Sequence, residues 1–124
     1  MRQLIMGFRA SQFIYVAAKL GLADKLANGP CDAAVLAAAV GAAPQPLYRL
    51  LRALASIGIL QESPERTFAL TPLAHPLRSD APGSLRSTAL LYGDAVFWNA
   101  YGQMLHSIRT GETAFEYAHG EPMY

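Results

Sequence analysis

Little in this sequence is charged, and less of it is reactive. Cys31 is the only cysteine in 124 residues, which excludes a disulfide framework and a cysteine zinc site within one chain and fits a reducing, cytoplasmic setting. Charged residues make up 15%, against about a quarter in an ordinary globular chain. That is too little charge to cover a lone globule, so part of the apolar surface is expected to meet another chain or domain. The net charge of +1 gives no electrostatic reason to expect nucleic acid or an anionic membrane as partner. No uncharged apolar run reaches the ~18 residues that a membrane span needs, and Arg9 interrupts the N-terminal apolar stretch where a signal peptide would require continuity. Glycine-rich phosphate turns of the types G-x-G-x-x-G and G-x-x-x-x-G-K-[ST] are missing. Without them a nucleotide or S-adenosylmethionine site of the Rossmann kind has no place in these residues.

What is present is organised around Ala43–Leu70. Leu47, Leu50, Leu51, Leu54 and Ile57 recur at helical spacing with Arg49, Arg52 and Ser56 opposite, which predicts an amphipathic helix opened by Pro44 or Pro46 and closed by Gly58. Two short extended pieces follow, Ile59–Glu62 and Thr67–Leu70, joined by a Ser63-Pro64-Glu65-Arg66 turn with proline at its favoured second position. Upstream, Asp32 is a good cap for a helix running to Val40, with Val35, Leu36, Ala39 and Val40 expected in the core. Gly41-Ala42-Ala43-Pro44 would make the tight turn between the helices. Helix, turn, helix and hairpin together predict a winged helix.

Apolar segments flank this module. Residues 3–27 are apolar nearly all round, with a break at Gly21, as in a helix buried on several sides. After a capped turn at Thr71–Leu77 and a linker over Arg78–Gly83, residues 84–109 repeat the helical spacing. An interruption at Gly93-Asp94 predicts two helices there. The tail from Glu112 to Tyr124 reads as a loop with a helical turn.

Candidate chemistry is sparse. Cys31 has no base nearby and reads as a small residue at a helix start. His75, His106 and His119 form no ligand pair or triad element, and Glu112 and Glu116 read as a solvated pair. The winged helix invites a DNA-binding reading, but residues 31–70 carry Arg49, Arg52 and Arg66 against Asp32, Glu62 and Glu65. A neutral module offers phosphate little. Tyr92, Phe97, Trp98, Tyr101 and Met104 form an aromatic-rich stripe that suits either core packing or an apolar wall for a flat ligand.

The blocks YVAAKLGLADKLANGP, LYRLLRALASIGIL, FALTPLAHPLRSDAPGSLRS and SIRTGETAFEYAHG, in this order and spacing, resemble the N-terminal dimerisation domain of S-adenosylmethionine-dependent O-methyltransferases, in particular the bacterial small-molecule branch. The resemblance implies a mainly α fold: a winged helix-turn-helix with a small hairpin wing, plus N- and C-terminal helices that interlock a homodimer. It divides the chain into dimer helices over 1–30, a winged-helix core over 31–77 and dimer or substrate-side helices over 84–110. The donor site and the catalytic base belong in that family to a C-terminal methyltransferase domain, expected to be absent from these residues. No catalytic or metal-binding residue, and no cofactor contact, is therefore expected here, and S-adenosylmethionine is expected only of the parent enzyme. Trp98 and Met104 match the helix that faces substrate and are the candidates for contact with a small aromatic acceptor. The competing readings are a DNA-binding winged-helix regulator and a stand-alone module for aromatic ligands.

Overall fold

The structure, a computed structural model, describes residues 1–115. The chain opens with α1 (Arg2–Ile5), α2 (Gly7–Leu20) and α3 (Leu22–Lys25). Gly21 divides α2 from α3 in the left-handed region, at φ 69°. A further joint at Met6 separates the single turn of α1 from α2.

The winged helix follows. Strand β1 (Cys31–Asp32) leads directly into α4 (Ala33–Val40), and α5 (Pro44–Ser56) precedes β2 (Leu60–Ser63) and β3 (Thr67–Leu70). The strands form one antiparallel sheet in the order β1-β3-β2, with Cys31 opposite Phe68 and Ser63 opposite Thr67. The third strand is not apparent in the sequence, because two residues carry no periodicity. Asp32 both ends β1 and caps α4, its Oδ1 accepting from the N–H groups of Ala34 at 2.8 Å and Val35 at 3.3 Å.

Leu22, Leu36, Leu51, Leu54 and Phe68 are the large side chains most completely buried, and they define the core between α3, α4, α5 and the sheet. Two expectations for this core need correction. In α4 the buried residues are Ala33, Leu36 and Ala37, while Val35 is 61% exposed and Ala39 is also exposed. AAVLAAAV is apolar all round, so its pattern cannot set the phase of the helix. The docking of Leu36 does. At the end of α5, Ile57 leaves the stripe because the helix has stopped at Ser56, and Ile59 takes the buried place.

The wing turn holds Glu65 and Arg66 at φ 66° and 58°. A side chain in this region costs roughly 1–2 kcal/mol relative to the ordinary helical region. Arg66 has local compensation, since its carbonyl accepts the Ala33 N–H at 2.9 Å. Thr71 does not cap the following 3₁₀ helix (Pro72–Leu77). Its Oγ1 instead donates to the carbonyls of Gly58 and Ile59 and so ties the end of the hairpin to the end of α5.

Residues 78–83 are fastened rather than loose. Ser79 donates its N–H and its hydroxyl to the two carboxylate oxygens of Asp24 in α3, each at 2.8 Å. Arg78 forms a two-pronged pair with Asp80. That hydrogen bond and the Arg78 charge hold the exposed Asp80 carboxyl below its ordinary value. The small stability from this pair is present above the ordinary carboxylate range and is lost as pH falls through the depressed value.

Among the described residues three further helices follow, rather than the two expected: α6 (Arg86–Gly93), α7 (Ala95–Gly102) and α8 (Met104–Thr110). Asp94 caps α7, and an additional joint falls at Gln103. Helix α6 lies across α2. The Arg86 Nε donates to the Ala18 carbonyl at the C-terminal end of α2, and Gly93 meets Tyr15. A Cβ built on Gly93 would fall on the Cβ and ring atoms of Tyr15, far inside van der Waals contact. Among the described residues no helix is long and apolar enough to cross a membrane.

Three substitutions test these points. Gly93→Ala should lower stability by about 1–3 kcal/mol or more through overpacking at the α2–α6 crossing. Thermal unfolding should show the loss shrinking when Tyr15→Gly is added, because this removes both the Cβ and the ring that the new methyl would meet. Glu65→Gly should raise stability by up to about 1 kcal/mol by relieving the left-handed strain, read as a higher urea midpoint with an unchanged slope.

Candidate functional site

The aromatic-rich stripe borders a row of cavities along the α2–α6–α7–α8 side of the molecule. Trp98, half-buried on α7, lines a cavity of about 610 Å³ together with Phe8 and Ile14 of α2 and Ala89 and Tyr92 of α6. Met104, 50% exposed at the start of α8, lines a separate cavity of about 310 Å³ with Phe97, Ala100 and Phe115. Tyr101 borders both. The two candidate contact residues are therefore not brought into one cavity. Six residues advance a helix by roughly 600°, which leaves their directions well apart, and the joint at Gln103 separates the two helices. A third cavity, of about 420 Å³, is lined by Leu90, Leu91, Val96 and Phe97.

The rings form a chain of tilted contacts. Tyr92 and Phe97 have centroids 5.4 Å apart, and Phe97 and Phe115 are 6.4 Å apart. Such pairs add modest energy beyond their buried area and hold one another's rotamers. Phe8, Ile14 and Phe115 were not singled out by sequence reasoning. The place of Phe8 and Ile14 beside α7 depends on how α2 crosses α6, for which the sequence carries no local signal.

The polar candidates are scattered. His75 sits exposed on the 3₁₀ helix beside a groove of about 650 Å³ that Leu26, Leu70 and Arg78 also line. The Nε2 of His106 lies 2.9 Å from Glu112 Oε2, so Glu112 is engaged within its own turn. Its expected partner Glu116, and His119, lie outside the described residues. Cys31 is half-buried, with its Sγ 3.5 Å from the Asp32 carbonyl. Among the described residues no three His, Cys, Asp or Glu side chains gather as metal ligands would.

On the winged-helix face two of the three arginines are engaged by neighbours at the surface. Glu62 of β2 accepts from the Tyr48 hydroxyl at 3.2 Å and pairs with Arg52 Nε at 3.4 Å. The Arg66 guanidinium lies over the Tyr48 ring, 4.6 Å from its centroid. Gln45 and Arg49 are exposed on α5.

The family model of the O-methyltransferase dimerisation domain matches residues 2–80. The chain belongs to this family. It is 46% identical over 114 residues to the phenazine O-methyltransferase PhzM of Lysobacter antibioticus, covering 92% of this chain and 33% of that enzyme. The solved structure of the N,N-8-amino-8-demethyl-D-riboflavin dimethyltransferase RosA from Streptomyces davawensis superimposes with a TM-score of 0.90 at 41% identity, over 99% of this chain and 37% of that one. Human N-acetylserotonin methyltransferase in complex with SAM superimposes with a TM-score of 0.88 at 27% identity, over 98% of this chain and 36% of that one. The chain thus spans about a third of the length of the curated relatives it matches. The winged helix with added helices at both ends is the architecture that the sequence resemblance implies.

If Trp98 holds the shape of its cavity, Trp98→Ala should open the wall shared by α2, α6 and α7. Binding of a hydrophobic reporter dye should then rise, while thermal stability falls by about 1–3 kcal/mol, less than for a fully buried Trp.

Proposed function

We propose that this chain is the homodimerisation and acceptor-side domain of an S-adenosylmethionine-dependent methyltransferase that acts on small aromatic molecules. The observation that carries this reading is the position of its uncovered apolar side chains. Leu4, Ile5 and Phe8 on the N-terminal helices, and Tyr101, Leu105 and Ile108 on α7 and α8, are each more than half exposed, Leu4 and Ile108 to 80% and 78%. Phe8 and Tyr101 border the same cavity, which joins the two groups on one side of the molecule. A second copy placed there would remove this surface from water. Interlocked dimers of this kind bury on the order of 2,000–5,000 Å².

In this reading residues 1–30 and 84–110 supply the dimer contacts, and 31–77 are a winged-helix core that gives them a rigid base. The catalytic domain of the parent supplies the donor site, in keeping with the relatives solved with SAM or S-adenosylhomocysteine. Trp98 and Met104 serve the acceptor from neighbouring cavities rather than from one. A flat acceptor needs apolar walls more than charge, and these helices provide them. A cytoplasmic setting suits the lone cysteine.

Light scattering should return a dimer at micromolar concentration, and a stable monomer would overturn the proposal. Ile108→Asp leaves the core of each protomer untouched. It should weaken the dimer by about 2 kcal/mol or more, roughly 30-fold, by placing a carboxylate in an apolar interface. In the parent enzyme, Trp98→Ala should raise the acceptor KM and leave donor affinity nearly unchanged. Titration calorimetry of residues 1–124 with S-adenosylmethionine should give no heat of micromolar binding.

A further inference from the structure

A winged helix that meets nucleic acid uses cations on its second helix and its wing to hold phosphates. This chain has such cations in both places, Arg49 and Arg52 on α5 and Arg66 at the wing turn. Two of the three are held by their own module. Glu62 places one carboxylate oxygen on Arg52 Nε and the other on the Tyr48 hydroxyl. The Tyr48 ring carries the Arg66 guanidinium on one side at 4.6 Å and has Arg52 nearby at 5.9 Å. Its edge contact with the fully buried Phe68, at a centroid distance of 6.0 Å, fixes the ring to the core. The cluster therefore has a rigid end in Phe68 and a charged end in Glu62.

We infer that the α5–wing face is a latent binding surface for a duplex nucleic-acid backbone, kept closed by Glu62, whose carboxylate takes the place of a phosphate between Arg52 and Tyr48. The geometry separates this from a simple effect of net charge. Glu65 lies on the same wing turn and carries the same charge, yet forms no ion pair or hydrogen bond with Arg52 or Arg66 among the described residues. If charge alone closed the surface, Glu62 and Glu65 would be equivalent. If the contact closes it, only Glu62 matters. This inference is independent of the dimer and acceptor assignments, which concern α1, α2, α6, α7 and α8.

The test compares the wild-type chain with Glu62→Gln, Glu62→Asp and Glu65→Gln in fluorescence anisotropy with a labelled mixed-sequence DNA duplex, from 50 to 200 mM salt. The wild type should show no binding tighter than the roughly 10⁻⁴–10⁻⁶ M range of ordinary non-specific contacts. Glu62→Gln should bind at least about tenfold more tightly at 50 mM salt, with a log–log salt slope steeper by about 1, for the one arginine, Arg52, that it frees. Glu62→Asp keeps the net charge but withdraws the carboxylate, and should show a smaller gain of the same kind. Glu65→Gln should change affinity less than about threefold. Equal gains from Glu62→Gln and Glu65→Gln would overturn the inference, as would a wild type that already binds as tightly as Glu62→Gln. So would the absence of any gain in both Glu62 variants. Since Glu62→Asp preserves both charge and strand residue type, it decides the matter even if the neutral variant disturbs the wing.

Discussion

The crossing of α2 and α6 at Tyr15 and Gly93 is the contact on which the arrangement of both ends of the chain depends. Phe68, Leu51 and Leu54 are buried in the winged-helix core, which Ala17 of α2 and Leu22 of α3 also join. The N- and C-terminal helices, by contrast, have no large core of their own. They hold each other where a tyrosine ring rests on a backbone that has no side chain. Arg86 adds a polar tie by donating to the Ala18 carbonyl, which also accepts the Gly21 N–H at 3.1 Å where α2 ends. The cavities beside Trp98 and Met104, and the exposed apolar row from Leu4 to Ile108, are consequences of this crossing.

Much of the fold can be read from local pattern. The stripe of α5, the Asp32 cap, the breaks at Gly21, Gly41 and Gly93 and the hairpin all follow from rules that act over a few residues, and the structure has each of them. Where the reading fails, the missing information is either non-local or degenerate. The pairing of Cys31 with Phe68 joins residues far apart in the chain. The phase of α4 is hidden because eight apolar residues favour every face equally. The hydroxyl of Thr71 has two uses open to it, capping and tying, and tertiary packing selects the second. The joint at Gln103 follows Gly102, the last residue of α7, a glycine within a run whose helical spacing continues past it.

The candidate site was legible in composition more than in geometry. Aromatic residues and Met at helical spacing mark α7 and α8 as the wall of something apolar. They do not say that Tyr101 stands between the cavities of Trp98 and Met104, since that depends on the rotation of α8 about the Gln103 joint. The α5–wing face teaches the same lesson with charge. Counting the arginines and carboxylates of residues 31–70 gives zero, but the count treats Glu62 and Glu65 alike. In the folded chain Glu62 is engaged with Arg52 and Tyr48, whereas Glu65 has no such pairing among the described residues.

The long reach of the α2–α6 contact also has a cost in time. Ala18 and Arg86 are 68 residues apart in sequence, so α2 leaves the ribosome well before its partner exists. At the usual pace of about 5–20 residues per second the delay is roughly 3–14 s. For that interval Phe13, Ile14 and Tyr15 have only α3 and the growing winged helix to shelter them. A nascent chain in this state presents the kind of segment that holding chaperones take up, and α6 must displace whatever has bound there first. Codon choices or truncations that stall synthesis between the wing and Arg86 would prolong this exposure and shift the chain toward aggregation, with no change in the stability of the finished fold.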